Sequence, residues 1–217
     1  MSGSADPSDL LQAVQWPLPQ PWPLHPPLRL GLMASGDGSN FEAVVRACRR
    51  GPLQAEVALL VVNKADCGAR GRAERLDVPV RLLDHRLFDS REALDLALID
   101  VFRDAAVDLI VMAGWMRIVT TVLIEAYPDR LINIHPSLLP SFPGVDAIGQ
   151  ALAAGVRLTG CTAHLVRQKV DSGPVLVQAA VPLLEGDDPA SLAARIHRQE
   201  HRILPLAIAL AAARLAG

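Results

Sequence analysis

The sequence predicts an α/β fold in which a wound, mostly parallel β-sheet is flanked by helices. Short apolar runs alternate with amphipathic helical segments from Leu28 onward. Strands that are connected through helices lie parallel in one sheet, and most neighbouring runs here are separated by a helix. After Gly160 two strand-like runs follow each other directly, which predicts a hairpin near the C-terminal end of the sheet.

Seven apolar runs have the length and composition of β-strands. They span residues 28–34, 57–62, 80–83, 109–113, 131–134, 161–166 and 174–181. A turn at Asp171-Ser172-Gly173 lies between the last two, and its residue types favour tight turns. This turn closes the predicted hairpin.

Four further segments are predicted helices, spanning residues 39–50, 69–76, 90–105 and 189–215. The first three carry apolar residues three and four positions apart, which is the spacing of an amphipathic helix packed on a sheet. The fourth is the most apolar and closes the domain.

Residues 1–27 are predicted to form a flexible, proline-rich N-terminal extension, and residues 28–217 a single domain. Prolines remove backbone donors and favour extended polyproline conformations over packed elements. The prolines of the extension are Pro7, Pro17, Pro19, Pro21, Pro23, Pro26 and Pro27. Trp16 and Trp22 could form a docking motif, but a mobile extension is the preferred interpretation.

The charge balance excludes some partners. The 217 residues carry a formal net charge of -2, so they supply no basic field of the kind that nucleic-acid binding requires. The longest apolar run, 203–215, contains Pro205 and Arg214 and is shorter than the roughly 20 residues of a membrane-spanning helix. We therefore expect small-molecule substrates and neither a nucleic-acid nor a membrane partner.

The cysteines and the N-terminus indicate the compartment. Cys48, Cys67 and Cys161 are odd in number and far apart, without a C-x-x-C pair. The N-terminal stretch has neither a basic n-region nor a continuous apolar h-region, so we expect no secretory signal. Both observations predict a cytoplasmic protein, and the sequence leaves open whether it forms a homodimer.

A glycine-containing loop, Ser-Gly-Asp-Gly-Ser-Asn at 35–40, follows the first strand and opens the first helix. Free backbone N–H groups and the helix dipole favour an anion there, and Gly36 and Gly38 allow it to approach closely. Phe41 stands where a dinucleotide motif has its third glycine, so that kind of site is disfavoured. The alternative is a tight turn with Ser39 as the N-cap.

The motif Asn-Ile-His-Pro-Ser-Leu-Leu-Pro at 133–140 begins at the end of a buried strand. Strand alternation places Asn133 and His135 on the same face, at the carboxyl edge where open α/β folds bind ligands. Acyl transfer to an amine needs donors for a developing oxyanion, and the Asn133 amide and protonated His135 are candidates. Asp171 is the candidate base, acting directly or through water, and its charge would favour protonated His135. The alternative is that Asn133 and His135 are ordinary strand-end residues with satisfied hydrogen bonds and that Asp171 forms an Asx turn.

This motif, followed downstream by Asp-Ser-Gly-Pro at 171–174, resembles the signature of folate-dependent formyltransferases over about residues 29–210. The resemblance is closest to the enzymes that formylate glycinamide ribonucleotide. It implies a Rossmann-like formyltransferase fold, with residues 28–217 as one catalytic domain. It also implies transfer of the formyl group of 10-formyltetrahydrofolate to the amine of 5'-phosphoribosylglycinamide in purine biosynthesis, without a metal.

The resemblance also assigns site residues. It implies Asn133, His135 and Asp171 as the catalytic residues. The ribonucleotide would be bound by its phosphate and near its amine and ribose, through Gly38, Ser39, Asn40 and Glu200. The formyl folate would be bound by Arg91, Met116, Arg117, Ile118, Val119, Asn133, Arg167, Val170 and Asp171.

Ordinary structural roles remain open for several of these residues. Met116, Ile118 and Val119 could be core residues, Arg117 a surface ion-pairing residue and Arg91 part of a helix start. His164 either lines the cleft or packs on its strand, and we leave it out of the catalytic set. A metal site at His197, Glu200 and His201 is disfavoured because no third ligand cluster is evident. Asp146, where the family often has histidine, is predicted to be an N-cap.

Four other functions compete with this one. Methionyl-tRNA formyltransferases usually add a basic C-terminal domain, and formyltetrahydrofolate deformylases a regulatory domain before the catalytic part; we expect neither here. A non-catalytic nucleotide-binding module or an NAD enzyme would explain the fold but would leave the Asn133, His135 and Asp171 set without a reason. The second strand also ends in Asn63-Lys64 rather than in an acidic residue.

Overall fold

The computed structural model describes residues 15–16, 28–51 and 53–216, which form one sheet with helices on both faces. The sheet has eight strands: β1 Gln15–Trp16, β2 Leu28–Ala34, β3 Ala55–Val62, β4 Val80–Leu82, β5 Leu109–Met112, β6 Leu131–His135, β7 Leu158–Leu165 and β8 Val175–Pro182. The seven predicted strands correspond to β2 to β8, with ends that differ by up to three residues.

The helices are α1 Ser39–Arg50, α2 Gly68–Arg75, α3 Arg91–Asp104, α4 Thr121–Ala126, α5 Ala147–Ala153 and α6 Pro189–Ala216, with a 3-10 turn at His85–Leu87. The four predicted helices are α1, α2, α3 and α6. The periodicity does not predict α4 and α5, because six and seven residues are too few to show a clear helical repeat. Within the described ranges no helix is long and apolar enough to cross a membrane.

The strand order is β1-β8-β7-β6-β5-β2-β3-β4. Strands β2 to β6 are parallel wherever they pair, whereas β7 is antiparallel to both β6 and β8. The predicted wound, mostly parallel sheet and its hairpin are therefore confirmed. The chain runs from β2 outward to β4 and returns to β5 on the other side of β2, so the crevice of the sheet opens at the carboxyl ends of β2 and β5.

Both faces of the sheet are covered by apolar layers. On one face Leu30 and Leu32 of β2 pack with residues of α1 and α6. On the other face Met33 packs with residues of α3 and α4. Because successive strand residues point to opposite faces, a strand covered on both sides is apolar throughout. This is why the central strands stand out in the sequence as continuous apolar runs.

Two residues of the N-terminal segment belong to the sheet. Gln15 pairs with Ala179 and Trp16 with Gln178, which places β1 antiparallel along β8. The rest of 1–27, including Trp22, lies outside the described residues. The division into a flexible extension and a single domain from residue 28 therefore stays a prediction.

Candidate active site

The loop after β2 turns sharply into α1. Gly38 is the N-cap of α1 with φ 81°, and its Cβ position would lie 2.6 Å from the Cα of Ala69, so the turn requires a glycine there. Ser39 is the first residue of the helix, so the interpretation of Ser39 as the N-cap is wrong. Arg72 steadies the loop, since its Nε donates to the Asp37 carbonyl at 2.8 Å and its guanidinium pairs with the Asp37 carboxylate at 2.6 Å.

The 133–140 motif brings its two predicted donors to one carboxylate. Asn133 and His135 lie on the same face of β6, as strand alternation predicts. The Asn133 amide donates to Asp171 Oδ1 at 3.4 Å, and Nδ1 of His135 lies 3.3 Å from Asp171 Oδ2. The three residues that the sequence singles out for catalysis therefore form one cluster, in which the side chains of His135 and Asp171 are 7% and 6% exposed.

Asp171 is held as a carboxylate. Burial, the largest single influence, raises its pKa, but it is outweighed by the hydrogen bond of His164, the Gly144 N–H and the charges of His135 and His164. The pKa of Asp171 consequently lies below its ordinary value. The Gly144 N–H donates to Oδ2 at 2.8 Å, and Asp171 has a φ of 52° in the left-handed region. The turn therefore aims the carboxylate at β6 instead of at solvent.

The loop after β6 completes the surroundings of His135. Nε2 of His135 donates to the carbonyl of Phe142 at 2.8 Å, so one ring nitrogen contacts the loop and the other faces Asp171. Thr162 holds the start of the loop, since its hydroxyl donates to the Ser137 carbonyl at 2.7 Å and accepts from the Leu139 N–H at 3.1 Å. The imidazole of His135 is therefore held by the Phe142 carbonyl at Nε2 and by Asp171 at Nδ1.

His164 joins the cluster, although the sequence interpretation left it out. It pairs with Asn133 across β6 and β7. Its Nδ1 donates to the Leu165 carbonyl at 2.9 Å, and its Nε2 lies 3.2 Å from the Asn133 amide and 3.5 Å from Asp171 Oδ1. The signal that could have found it is the antiparallel register of β6 and β7, which places His164 opposite Asn133.

A cavity of about 670 Å³ opens over this cluster. The predicted site residues that line it are Asn40, Met116, Arg117, Ile118, Val119, Asn133, His135, Arg167, Val170, Asp171 and Glu200. Gly38, Ser39 and Arg91 are not among the lining residues; Arg91 is exposed at the start of α3. The structure thus gathers most of the predicted site in one cavity and leaves Gly38, Ser39 and Arg91 outside its lining.

One wall of the cavity is the segment Met116 to Val119, which we call the slot segment. Met116 is 71% and Ile118 50% exposed, so the alternative that they are core residues is wrong for these two. Val119 is buried, packs in the core cluster around α3 and also lines the cavity. The apolar side chains offered by Met116 and Ile118 suit a flat heterocycle.

Another part of the cavity lining is the loop from Arg167 to Asp171. Val170 is 47% exposed. The Arg167 guanidinium donates to the carbonyl of Val166 at 3.0 Å and to the carboxylate of Asp129. These hydrogen bonds anchor Arg167 at the side of the cavity. Val170 exposes an apolar surface to the cavity.

Glu200 forms the end of the cavity next to α1. Its carboxylate accepts from the Asn40 amide at 2.7 Å, and Nε2 of His197 lies 4.0 Å away. Burial, the largest influence, raises the pKa of Glu200 above its ordinary value against the opposing effects of Asn40, His197 and His135. The Oδ1 atom of Asn40 is buried without a hydrogen-bond partner among the described residues. This end of the cavity therefore combines a carboxyl group with an unused amide acceptor.

No group of three or more histidine, cysteine, aspartate or glutamate residues in the described ranges is arranged to hold a metal ion.

Asp146, outside the cluster, is the N-cap of α5, as predicted, and its carboxylate accepts from the Gly149 N–H at 3.2 Å.

A wound sheet with an Asn-His-Asp cluster at its carboxyl edge is the arrangement of an α/β group-transfer enzyme. A family model described as formyl transferase matches residues 28–208. Because that match covers most of the chain, the chain belongs to the formyl transferase family.

Named relatives agree with this family. The chain is 40% identical over 180 residues to the phosphoribosylglycinamide formyltransferase of Bacillus subtilis, covering 83% of this chain and 92% of that protein. It is also 40% identical to the chicken trifunctional purine biosynthetic protein adenosine-3, covering 85% of this chain but only 18% of that much longer protein. A crystal structure of glycinamide ribonucleotide transformylase 1 from Symbiobacterium toebii superimposes with a TM-score of 0.85 at 44% identity, covering 87% of this chain and 89% of that chain.

Proposed function

We propose that this protein transfers the formyl group of 10-formyltetrahydrofolate to the amine of 5'-phosphoribosylglycinamide, releasing tetrahydrofolate, in purine biosynthesis. The observation that carries the proposal is the cluster of Asn133, His135 and Asp171 on the wall of a single cavity. The names of the bacterial relatives support the choice of acceptor.

The two ends of the cavity suit the two substrates. The start of α1, which reaches the cavity through Asn40, offers backbone N–H groups without helical acceptors, which favour a phosphate. Asn40 and Glu200 follow at the same end and can hydrogen-bond hydroxyl and amine groups of the ribonucleotide. The slot segment and Val170 form apolar walls for the pterin of the folate. The acceptor amine and the formyl carbon then meet beside Asn133 and His135.

The reaction proceeds by addition and elimination. The amine nitrogen forms a bond to the formyl carbon, and the carbonyl oxygen becomes an oxyanion that the dipole of the Asn133 amide and the positive charge on the His135 imidazole stabilise. The bond between this carbon and N10 of the folate then breaks, the amine nitrogen loses a proton and N10 gains one. Holding both reactants in one cavity supplies the proximity contribution.

The environment of Asp171 refines its predicted role as a base. Because its pKa is lowered, the carboxylate is a weak proton acceptor but a persistent negative charge. It holds Nδ1 of His135 and the Asn133 amide in position and stabilises positive charge on the imidazole. Proton transfer from the amine to N10 then runs through water that is hydrogen-bonded to this carboxylate.

The test is an absorbance assay of 10-formyltetrahydrofolate consumption by purified protein with glycinamide ribonucleotide, with methionyl-tRNA and without an acceptor. We expect turnover only with the ribonucleotide. Turnover that requires tRNA, or that needs no acceptor, would assign the same site to methionyl-tRNA formylation or to deformylation. Binding of the ligands without any turnover would support a non-catalytic module. The cytoplasmic location, the absence of other partners and the homodimer stay predictions.

A further inference from the structure

A buried carboxylate outside the catalytic cluster anchors one wall of the cavity. Asp95 lies on α3 with 1% of its surface exposed. Its Oδ2 accepts two hydrogen bonds from Thr120, from the backbone N–H at 2.6 Å and from the hydroxyl at 2.8 Å. Among the described residues no basic side chain forms a salt bridge with Asp95. Thr120 therefore supplies the two short hydrogen bonds of this carboxylate, and the backbone N–H of Leu123, in α4, adds a weaker one.

The burial of Asp95 is unfavourable in itself. Burial raises its pKa, and the neighbouring Glu92 adds to this rise, while the hydrogen bonds from Thr120 and from the Leu123 backbone only partly offset it. A buried carboxylate without a cation costs more free energy than an apolar residue of similar size. Its presence is explained by what its hydrogen bonds hold in place.

Thr120 directly follows the slot segment and is the N-cap of α4. Its hydroxyl accepts from the Val122 N–H at 3.2 Å as it donates to Asp95, so one residue both caps α4 and ties the segment to α3. The preceding residue, Val119, is buried in the same core cluster as Leu94 and Leu98 of α3. The C-terminal end of the slot segment is therefore fixed to α3 by packing and by hydrogen bonds.

The other end of the slot segment is fixed to the loop after β2. The Met116 N–H donates to the Ser35 hydroxyl at 2.9 Å, and the Ser35 N–H donates to the Gly114 carbonyl at 3.0 Å. Between these two anchors the side chains of Met116 and Ile118 remain exposed. An exposed apolar wall keeps its shape only if its backbone is held, because its side chains have few packing partners of their own.

We propose that Asp95 is a positioning residue for the formyl donor, because it holds the wall against which the folate binds and so sets the affinity for the folate but not for the ribonucleotide. The identity of the donor rests on the proposed function. The selectivity follows from the architecture, since Asn40 and Glu200 belong to α1 and α6, which pack on the opposite face of the sheet from α3.

Steady-state kinetics of Asp95→Ala test this inference. With the other substrate saturating, we expect the KM for 10-formyltetrahydrofolate to rise about tenfold, while the KM for the ribonucleotide and kcat change by no more than about threefold. Thr120→Ser keeps both the backbone N–H and the hydroxyl donor, so its KM values and kcat should match the wild type. Thr120→Val keeps only the backbone donor and should fall between wild type and Asp95→Ala.

Val181→Ala is the control for effects of a general loss of stability. Val181 is fully buried on β8, in the core cluster that includes α6, so its truncation destabilises the protein without touching the slot segment. Both KM values of this variant should match the wild type. An equal rise of both KM values in Asp95→Ala, or a loss confined to kcat, would overturn the inference.

Amide hydrogen exchange provides a measurement that does not depend on activity. Asp95→Ala should speed exchange of the peptide covering the slot segment and Thr120, while the peptide covering Asn133 and His135 stays unchanged. Unchanged exchange at the slot segment would refute the inference. If the wild type shows no turnover with this substrate pair, the proposed function fails, and the exchange result still decides whether Asp95 orders the segment.

Discussion

Oδ2 of Asp171 lies 3.3 Å from Nδ1 of His135, with the Gly144 N–H donating to the same oxygen at 2.8 Å. The carboxylate therefore serves two parts of the chain together, the strand end that carries the imidazole and the loop that follows it. Removing its charge should affect the chemistry more than the fold.

Asp171→Asn should lower kcat by about 100-fold or more, because the amide cannot stabilise a positively charged imidazole. His135→Ala should lower kcat by at least about 100-fold, through loss of the positive charge that stabilises the oxyanion. Stopped assays at saturating substrates measure both effects, and circular dichroism checks that the variants fold. An Asp171→Asn variant with near wild-type kcat would contradict the assigned role.

Asp171 should also contribute to stability in a pH-dependent way. Its pKa in the folded protein lies below the ordinary value of 3.8, so its contribution is fully present above about pH 3.8 and is lost as the pH falls through the lower folded value. The stability difference between wild type and Asp171→Asn should therefore shrink as the pH falls from 6 to 3. Urea unfolding across this range measures it, and a constant difference would show that the folded pKa is not lowered.

Glu200 should show the opposite dependence, because its pKa is raised in the folded protein. A raised acid pKa makes its contribution to stability greatest below its ordinary value of 4.5, and that contribution is lost as the pH rises through the folded value. Glu200→Gln should therefore gain stability relative to wild type between pH 4.5 and 8. Glu185→Gln, at an exposed position before α6, is the matched control and should show no such trend.

Glu200→Gln also tests the assigned acceptor end of the cavity. Replacing the carboxyl group by an amide should raise the KM for the ribonucleotide about tenfold, as expected when a strong hydrogen bond to the ligand is lost. The KM for the folate should change little, because the slot segment is fixed to α3, on the opposite face of the sheet from α6, which carries Glu200. A variant in which only the folate KM rises would place the two substrates the other way round.

Gly38→Ala should destabilise the turn that opens α1. Both Gly38 and Gly51 have positive φ angles, 81° and 89°, but a Cβ on Gly51 meets nothing within 4 Å. Gly51→Ala should therefore cost about 1 kcal/mol from backbone strain alone. Gly38→Ala should cost roughly 1–3 kcal/mol more, because its Cβ collides with Ala69. Thermal unfolding compares the two, and equal losses would show that the collision is relieved by a small shift.

Much of the fold could be predicted because the central strands are covered on both faces. Continuous apolar runs such as 109–113 and 131–134 follow from that burial, and the helices between them imply a parallel arrangement. The short helices α4 and α5 show no periodicity, since their starts depend on side-chain caps at Thr120 and Asp146. The N-cap predicted at Asp146 marks the start of α5, whereas the sequence analysis did not identify Thr120 as a cap.

The sequence by itself determined the strand and helix alternation, the placement of Asn133 and His135 on one face, and a motif specific enough to indicate the family. These are local properties, set by side-chain alternation and residue order along short segments. Only the tertiary structure decided which distant groups meet: His164 and Asp171 with Asn133, Thr120 with Asp95, and Arg91 outside the cavity. Such contacts depend on strand register and on loop conformation, and neither is contained in the periodicity of a single segment.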